Sequence, residues 1–259
     1  MCQLLGMNCN VPTDICFSFE GFSARGGHTD VHADGWGIAF FEGRGCRVFL
    51  DSHPATTSPV AELVRRYPIK SMHVIAHIRK ATQGAVAIEN THPFVRELWG
   101  RYFAFAHNGN LEGGVPGTGH VYRPVGQTDS EAAFCRILEA LRAAFPAGDP
   151  PLAAMHATLA EVTESLRRRG PFNYLLSDGE HLFAHCATRL HYVVREAPFA
   201  AAHLVDRDLT VDFAGLTTPS DRVAVIATMP LTDNERWTPI DPGRIVAFRE
   251  GAPVPLAAG

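Results

Sequence analysis

The sequence predicts an α+β fold of stacked sheets with helices outside, and three observations carry that expectation. β-prone stretches crowd both ends of the chain, while two adjacent helical stretches occupy the middle. That grouping favours layered sheets over a βαβ alternation. A hydrophobic share of 46% against 19% charged residues supplies a substantial core. No stretch reads as a linker, a repeat or a low-complexity tract, so residues 1–259 are expected to form a single domain.

Taken in order, residues 1–7 form an apolar strand, and the polar, Pro-containing run 8–14 reads as a loop. Residues 15–22 suit a short helix stopped at a glycine, followed by a loop over 25–30. The apolar run 36–41, the turn 42–45 and the return over 46–51 make a hairpin. A helix over 59–67 has Pro59 in its first turn and Pro68 just past its end. Strands follow at 71–79 and 101–107, the second closed by an Asn108-Gly109 turn. The loop 113–119 is glycine-rich but lacks the lysine of a phosphate-binding loop. Thr128-Asp129-Ser130-Glu131 is a capping box, and Phe134, Ile137, Leu138, Leu141 and Phe145 continue it at helical spacing. A second helix runs over 151–169 to Gly170, and strands at 172–176, 181–186, 191–195, 223–227 and 244–248 complete the chain.

Bulk properties exclude several functions. A net charge of −4 leaves no basic footprint for nucleic acid. No apolar run approaches the roughly 20 residues of a membrane span, and the N-terminus lacks the pattern of a signal peptide, so a cytoplasmic protein is expected. Six cysteines without a C-x-x-C pair suggest neither zinc nor a disulfide framework. His73 and His77 share the spacing of a helical zinc motif, but they lie in a strand and no Glu follows the first. His28, Asp30, His32 and Asp34 alternate as in a hydrogen-bonded loop more than as an ion site. Trp36, Trp99 and Trp237 suit a core or pocket wall, and Arg167-Arg168-Arg169 suits a helix C-terminus.

Four places could carry chemistry. Cys2 opens the apolar run Gln3-Leu4-Leu5-Gly6-Met7 and reads either as a small core residue or as a nucleophile. Its small side chain permits removal of Met1, and the freed α-amine, with a pKa of roughly 7.7–8, is a base poised near neutral pH. Arg79 ends a strand beside a Gly-containing loop, either solvated or forked onto a carboxylate. Asn108-Gly109 is either the commonest hairpin dipeptide or a pair of convergent donors for an oxyanion. Thr128 and Glu131 are explained by capping, while Asp129 suits either the helix dipole or a substrate ammonium group.

Together these stretches resemble the glutaminase domain of class II glutamine amidotransferases, the cysteine branch of the N-terminal-nucleophile hydrolases. The likeness covers nearly the whole chain and is nearest to the stand-alone bacterial YafJ-type group. It runs through residues 1–7, 34–41, 77–84, 90–94, 106–109 and 128–131, and through a late segment from Thr228-Met229-Pro230 to Trp237 and Pro242-Gly243. The resemblance implies a four-layer αββα sandwich. It implies Cys2 as a nucleophile activated by its own amine, with Asn108 and the Gly109 amide as the oxyanion hole. Arg79 would bind the α-carboxylate of glutamine, Thr82 and His92 would shape that pocket, and Asp129 would bind the α-ammonium. Arg25, before Gly26, is a further candidate beside the nucleophile, although its spacing to Asp34 is longer than in the family. Lys80 stands where many members carry tryptophan, so no aromatic wall is expected there. Neither a cofactor nor a metal is implied.

The implied reaction converts glutamine to glutamate and ammonia through a γ-glutamyl thioester on Cys2. The matching stretches fill most of the chain, so an ammonia-accepting synthase is expected as a separate subunit, and a channelling surface should expose an apolar patch. Two alternatives stand beside this reading. One is a stand-alone γ-glutamyl hydrolase acting on γ-glutamyl amides or peptides, with 113–119 as the rim of an open leaving-group side. The other is a non-catalytic protein that binds glutamine-like metabolites and keeps Met1.

Overall fold

Two antiparallel sheets face each other, and each carries a pair of helices on its outer side. The structure is a computed structural model that describes residues 2–29, 32–117, 119 and 121–256. Met1, and with it the expected removal of Met1, lies outside the described residues, as do Asp30 of the histidine–aspartate alternation and Thr118 of the glycine-rich loop. In chain order the elements begin β1 (Gln3–Thr13), α1 (Cys16–Ala24), β2 (Trp36–Glu42), β3 (Gly45–Asp51), α2 (Pro59–Arg66), β4 (Ser71–Ile78), β5 (Phe94–Leu98) and β6 (Arg101–Gly109). The two central helices are α3 (Asp129–Ala144) and α4 (Leu152–Arg167). Then come β7 (Phe172–Ser177), β8 (Leu182–His185), β9 (His191–Glu196), β10 (Ala201–His203), β11 (Thr210–Asp212), β12 (Arg222–Ala227), β13 (Thr238–Pro239), β14 (Ile245–Arg249) and β15 (Ala252–Pro253). One sheet is ordered β13-β9-β12-β1-β4-β2-β3 and the other β15-β14-β8-β7-β6-β5, while β10 and β11 form a separate ribbon.

Strand periodicity explains the layering, because alternate side chains must be buried on opposite faces. Along β1, Leu5, Met7 and Cys9 pack with Phe19 and Phe22 of α1 and Val64 of α2. Leu4, on the other face, joins Ala104, Ala106, Leu175 and Leu182 between the sheets. β6 mirrors this arrangement. Its Phe103 and Phe105 pack beneath α3 and α4, and its Ala104 and Ala106 face inward. Small residues hold the sheets close, since a Cβ on Gly6 would sit only 3.1 Å from Leu175 and Leu182. The αββα sandwich expected from the sequence is therefore the observed architecture.

Three boundaries differ from the sequence reading, each for a packing reason. β1 continues through the run read as a loop because Asn8 is buried, hydrogen-bonded to His73 (3.3 Å) and to the Gly251 N–H (2.7 Å). α1 passes through Gly21, whose added Cβ would lie 2.9 Å from Leu204; close packing, and not helix termination, accounts for that glycine. Asn108 and Gly109 form no hairpin turn but extend β6, paired with Asn173 and Phe172 of β7. β5 and the β10–β11 ribbon carry no strong alternation and were not anticipated. Among the described residues, no helix is long and apolar enough to cross a membrane.

The helix-side core has a sharp test at Phe105, which is fully buried and stacked on Phe134 of α3 with ring centroids 5.1 Å apart. Phe105→Ala is expected to lower unfolding free energy by about 3–5 kcal/mol, read from the shift of the urea midpoint.

Candidate active site

β1 and β4 pair so that Gln3 faces Ile78 and Leu4 faces His77, which brings Cys2 beside the end of β4. There the Cys2 sulfur accepts the Lys80 backbone N–H at 3.2 Å and lies 3.4 Å from the Lys80 carbonyl. The other side of the strand start is pinned by Thr228: its Oγ1 accepts the Leu4 N–H at 2.9 Å, and its own N–H donates to the Leu4 carbonyl at 3.1 Å. Cys2 is partly exposed. Burial of the sulfur is the main influence on its thiol and raises the pKa, with the Asp129 charge adding, while the Lys80 N–H and the Arg79 charge oppose it. A thiol held protonated in this way needs a base before it can attack.

Arg79 is buried, and burial lowers the pKa of its guanidinium. Its Nη1 donates to the Ala85 carbonyl at 3.0 Å, and its Nη2 donates to those of Gln83 (2.9 Å) and Gly84 (3.1 Å). The guanidinium thereby gathers the loop that follows β4. Among the described residues, no carboxylate comes within salt-bridge distance of it. Asp34 braces the same loop: its carboxylate accepts the Ala81 N–H at 2.8 Å, and its N–H donates to the Arg79 carbonyl at 3.2 Å. Of the alternating His28, Asp30, His32 and Asp34, Asp34 is thus hydrogen-bonded into the loop ahead of β2.

Across the gap, β6 delivers Asn108 to the inward face, in phase with Ala104 and Ala106. The Asn108 carbonyl is held by Asn173 Nδ2 at 2.9 Å, whereas its buried side-chain Oδ1 has no hydrogen-bond partner among the described residues. Gly109 admits no side chain, because a Cβ there would overlap the Pro171 carbonyl oxygen and press on His107. The chain then turns to Leu111, whose N–H donates to Asp129 Oδ2 at 2.7 Å. Thr128 caps α3 through the Glu131 N–H at 3.2 Å. The Glu131 carboxylate does not complete the box, and instead accepts the N–H groups of Val125 (3.0 Å) and Gly126 (2.7 Å) and pairs with Arg96.

The structure thus brings Cys2, Arg79 and Asp129 into one electrostatic neighbourhood and sets Asn108-Gly109 on the facing sheet. The remaining candidates take three different places. Thr82 is exposed on the loop after β4. His92 is buried against His77, with ring centroids 4.2 Å apart. Arg25 is committed to Asp206 (2.7 Å) and to the carbonyls of Met229 (3.0 Å) and Pro230 (2.6 Å), so it braces the segment after Thr228.

Several supporting residues were not legible in the sequence. Gln83 Nε2 donates to Asn110 Oδ1 (2.7 Å), tying the Arg79 loop to the end of β6. Asn90 accepts the Gln127 N–H (2.8 Å) and donates to the Ala85 carbonyl (3.1 Å), while His107 Nδ1 meets Ser130 Oγ at 2.8 Å. Only proximity to the quoted motifs could have flagged them.

The site end also holds neutral histidines. Burial pushes His77 down to about 3 and lowers His92 and His107 as well; elsewhere His73 and His185 fall to about 4. A histidine depressed below its unfolded value of roughly 6.5 adds stability above that pH and loses it as pH falls toward the folded value. Unfolding free energy should therefore drop between pH 6.5 and 5, by up to about 2 kcal/mol per histidine, measured by urea unfolding at both values.

Known proteins resemble this chain along nearly its whole length. A family model described as class II glutamine amidotransferases matches residues 1–258. Two relatives named as glutamine amidotransferases align over most of their length. YafJ of Escherichia coli is 55% identical over 94% of this chain and 95% of its own, and a Haemophilus influenzae protein is 53% identical over 100% of this chain and 88% of its own. A crystal structure from Pseudomonas aeruginosa PA01, also named for that activity, shares 46% identity and a TM-score of 0.78 over 98% of this chain and 99% of that one. The glutamine phosphoribosylpyrophosphate amidotransferase of Bacillus subtilis shares the fold, with a TM-score of 0.60 at 14% identity over 97% of this chain and 48% of that one.

Proposed function

The chain belongs to the class II glutamine amidotransferases, enzymes built on the N-terminal-nucleophile hydrolase fold, and from that premise we propose that it hydrolyses the side-chain amide of free glutamine to glutamate and ammonia. The observation that carries the reading is that β1 and β4 end side by side, so that Cys2 sits against the Lys80 backbone, one residue from buried Arg79. Removal of Met1 frees the Cys2 α-amine, which takes the thiol proton. The sulfur attacks the side-chain amide carbon, and the oxyanion is held by the Asn108 side chain and the Gly109 N–H. The proton passes to the leaving nitrogen, ammonia departs, and water hydrolyses the γ-glutamyl thioester with the amine again as base.

Arg79 and Asp129 grip the α-carboxylate and the α-ammonium, and thereby favour a free amino acid over peptide-bound glutamine. Lysine keeps the charge of arginine without its fork, so Arg79→Lys is expected to raise KM for glutamine about 10–100-fold with a smaller change in kcat. The test of the function itself is glutamate release from glutamine and from γ-glutamyl peptides; turnover of neither would overturn it.

A specific observation favours delivery of the ammonia to a separate subunit over use of larger γ-glutamyl compounds. Val86, Ile88, Val121 and Val125 are exposed on two loops that meet where Asn90 accepts the Gln127 N–H. Exposed apolar groups beside a site suit a protein partner. No cofactor or metal enters the proposed chemistry.

A further inference from the structure

His73 and His77 lie four residues apart on β4, and an even spacing on a strand turns both rings to one face. That face looks into the gap between the sheets, where Ile75 between them joins the inter-sheet cluster. Each ring reaches the opposite sheet. His73 Nδ1 meets Ser177 Oγ of β7 at 3.3 Å, and His77 Nε2 meets the His107 carbonyl of β6 at 3.1 Å. A carbonyl only accepts, so His77 carries its proton on Nε2.

The two bridges hold different ends of the sandwich. Ser177 closes β7 opposite Ala104, whereas Phe172, at the other end of that strand, faces Gly109. His107 immediately precedes Asn108, and His77 pairs with Leu4, two residues from Cys2. One hydrogen bond therefore joins β4, the strand paired with the one that follows the nucleophile, to the strand of the oxyanion donors. The ring is fully buried and packed against His92, so its position is set by the core. Burial also keeps it neutral, with a pKa of about 3, and its single donor is constant at working pH.

We propose that His77 is a positioning residue whose Nε2–H bond to the His107 carbonyl sets the spacing between Cys2 and the Asn108–Gly109 oxyanion donors. The proposal rests on the glutaminase reading above. A displacement of about 1 Å at a reacting centre lowers rate on the order of 100-fold while leaving distant binding contacts in place.

The test measures kcat and KM for glutamine, the rate of Cys2 alkylation by iodoacetamide, and melting temperature in three variants. His77→Leu is expected to lower kcat about 10–100-fold with KM and alkylation rate near wild type. His77→Gln, whose amide reaches the place of Nε2, should recover most of the loss. His73→Leu, which cuts the bridge at the far end, should lower melting temperature without lowering kcat. Wild-type kcat in His77→Leu, or an equal fall of kcat in His73→Leu, would overturn the assignment. Should His77→Leu not fold, His77→Asn replaces it: the shorter amide cannot reach, and equal kcat in the Asn and Gln variants would contradict the proposal. Absence of glutamate release from the wild-type protein would instead overturn the glutaminase reading, and this assignment with it.

Discussion

Replacing Cys2 with Ala is expected to lower glutamate release from glutamine by on the order of 10⁴–10⁶-fold, the loss that follows removal of a nucleophile. The physical ground is that no other thiol can take over. Cys9, Cys135 and Cys186 are buried in the cores, and Cys16 and Cys46 have thiols pushed up to about 11 by burial. The fold should tolerate the change, because Cys2 as a residue is partly exposed and, among the described residues, its sulfur bonds to the Lys80 backbone alone. Melting temperature near wild type with activity absent is the expected pair of results. Glutamate release undiminished in Cys2→Ala would rule out the thioester route.

Asn108→Ala is expected to lower kcat by about 10²–10³-fold, equivalent to about 2.7–4 kcal/mol of transition-state stabilisation, with KM little changed. The distinction between kcat and KM is the informative part. Asn108 is assigned to the oxyanion, which exists only after attack, so its loss should not weaken ground-state binding. The substitution leaves the backbone intact, and the bond from Asn173 to the Asn108 carbonyl survives. A residual rate should remain from the Gly109 N–H. If KM rose while kcat held, the amide would be contacting bound glutamine and not the developing charge.

Cys2, Arg79 and Asn108-Gly109 could be singled out from the sequence because each is a reactive or strongly polar group at the end of an apolar run or beside a glycine, and Asp129 because it stands in a capping box that Thr128 and Glu131 already explain. The layered architecture was legible because β1, β2 and β6 are buried on both faces and so read as short, near-continuous apolar runs. What was not legible is how those residues are held. The grip of Arg79 on three loop carbonyls, the hold of Asn173 on the Asn108 backbone and the pin of Thr228 on Leu4 are side-chain-to-backbone or long-range contacts without a period. Thr228 and Leu4 lie 224 positions apart, and no local pattern reports such a pairing. Asn108-Gly109 shows the converse problem. The dipeptide favours a tight turn, but pairing with Asn173 and Phe172 of the neighbouring strand fixes it as extended chain. Tertiary packing decides where local preference is ambiguous.

The histidines of β4 show the same lesson in another form. Four-residue spacing suggests a metal pair only if the backbone is helical. On a strand it builds two bridges between sheets, and chemistry enters through where those bridges land.

The central claim is that Cys2, freed of Met1, is the nucleophile of a glutamine-binding site. The most direct test is peptide mass spectrometry of the purified protein after incubation with a diazoketone analogue of glutamine, which alkylates a thiol only when held as the substrate is held. A single adduct on a peptide that begins at Cys2, suppressed by excess glutamine, is the predicted result. An adduct on any other cysteine, or no adduct on a chain that still begins at Met1, would contradict it.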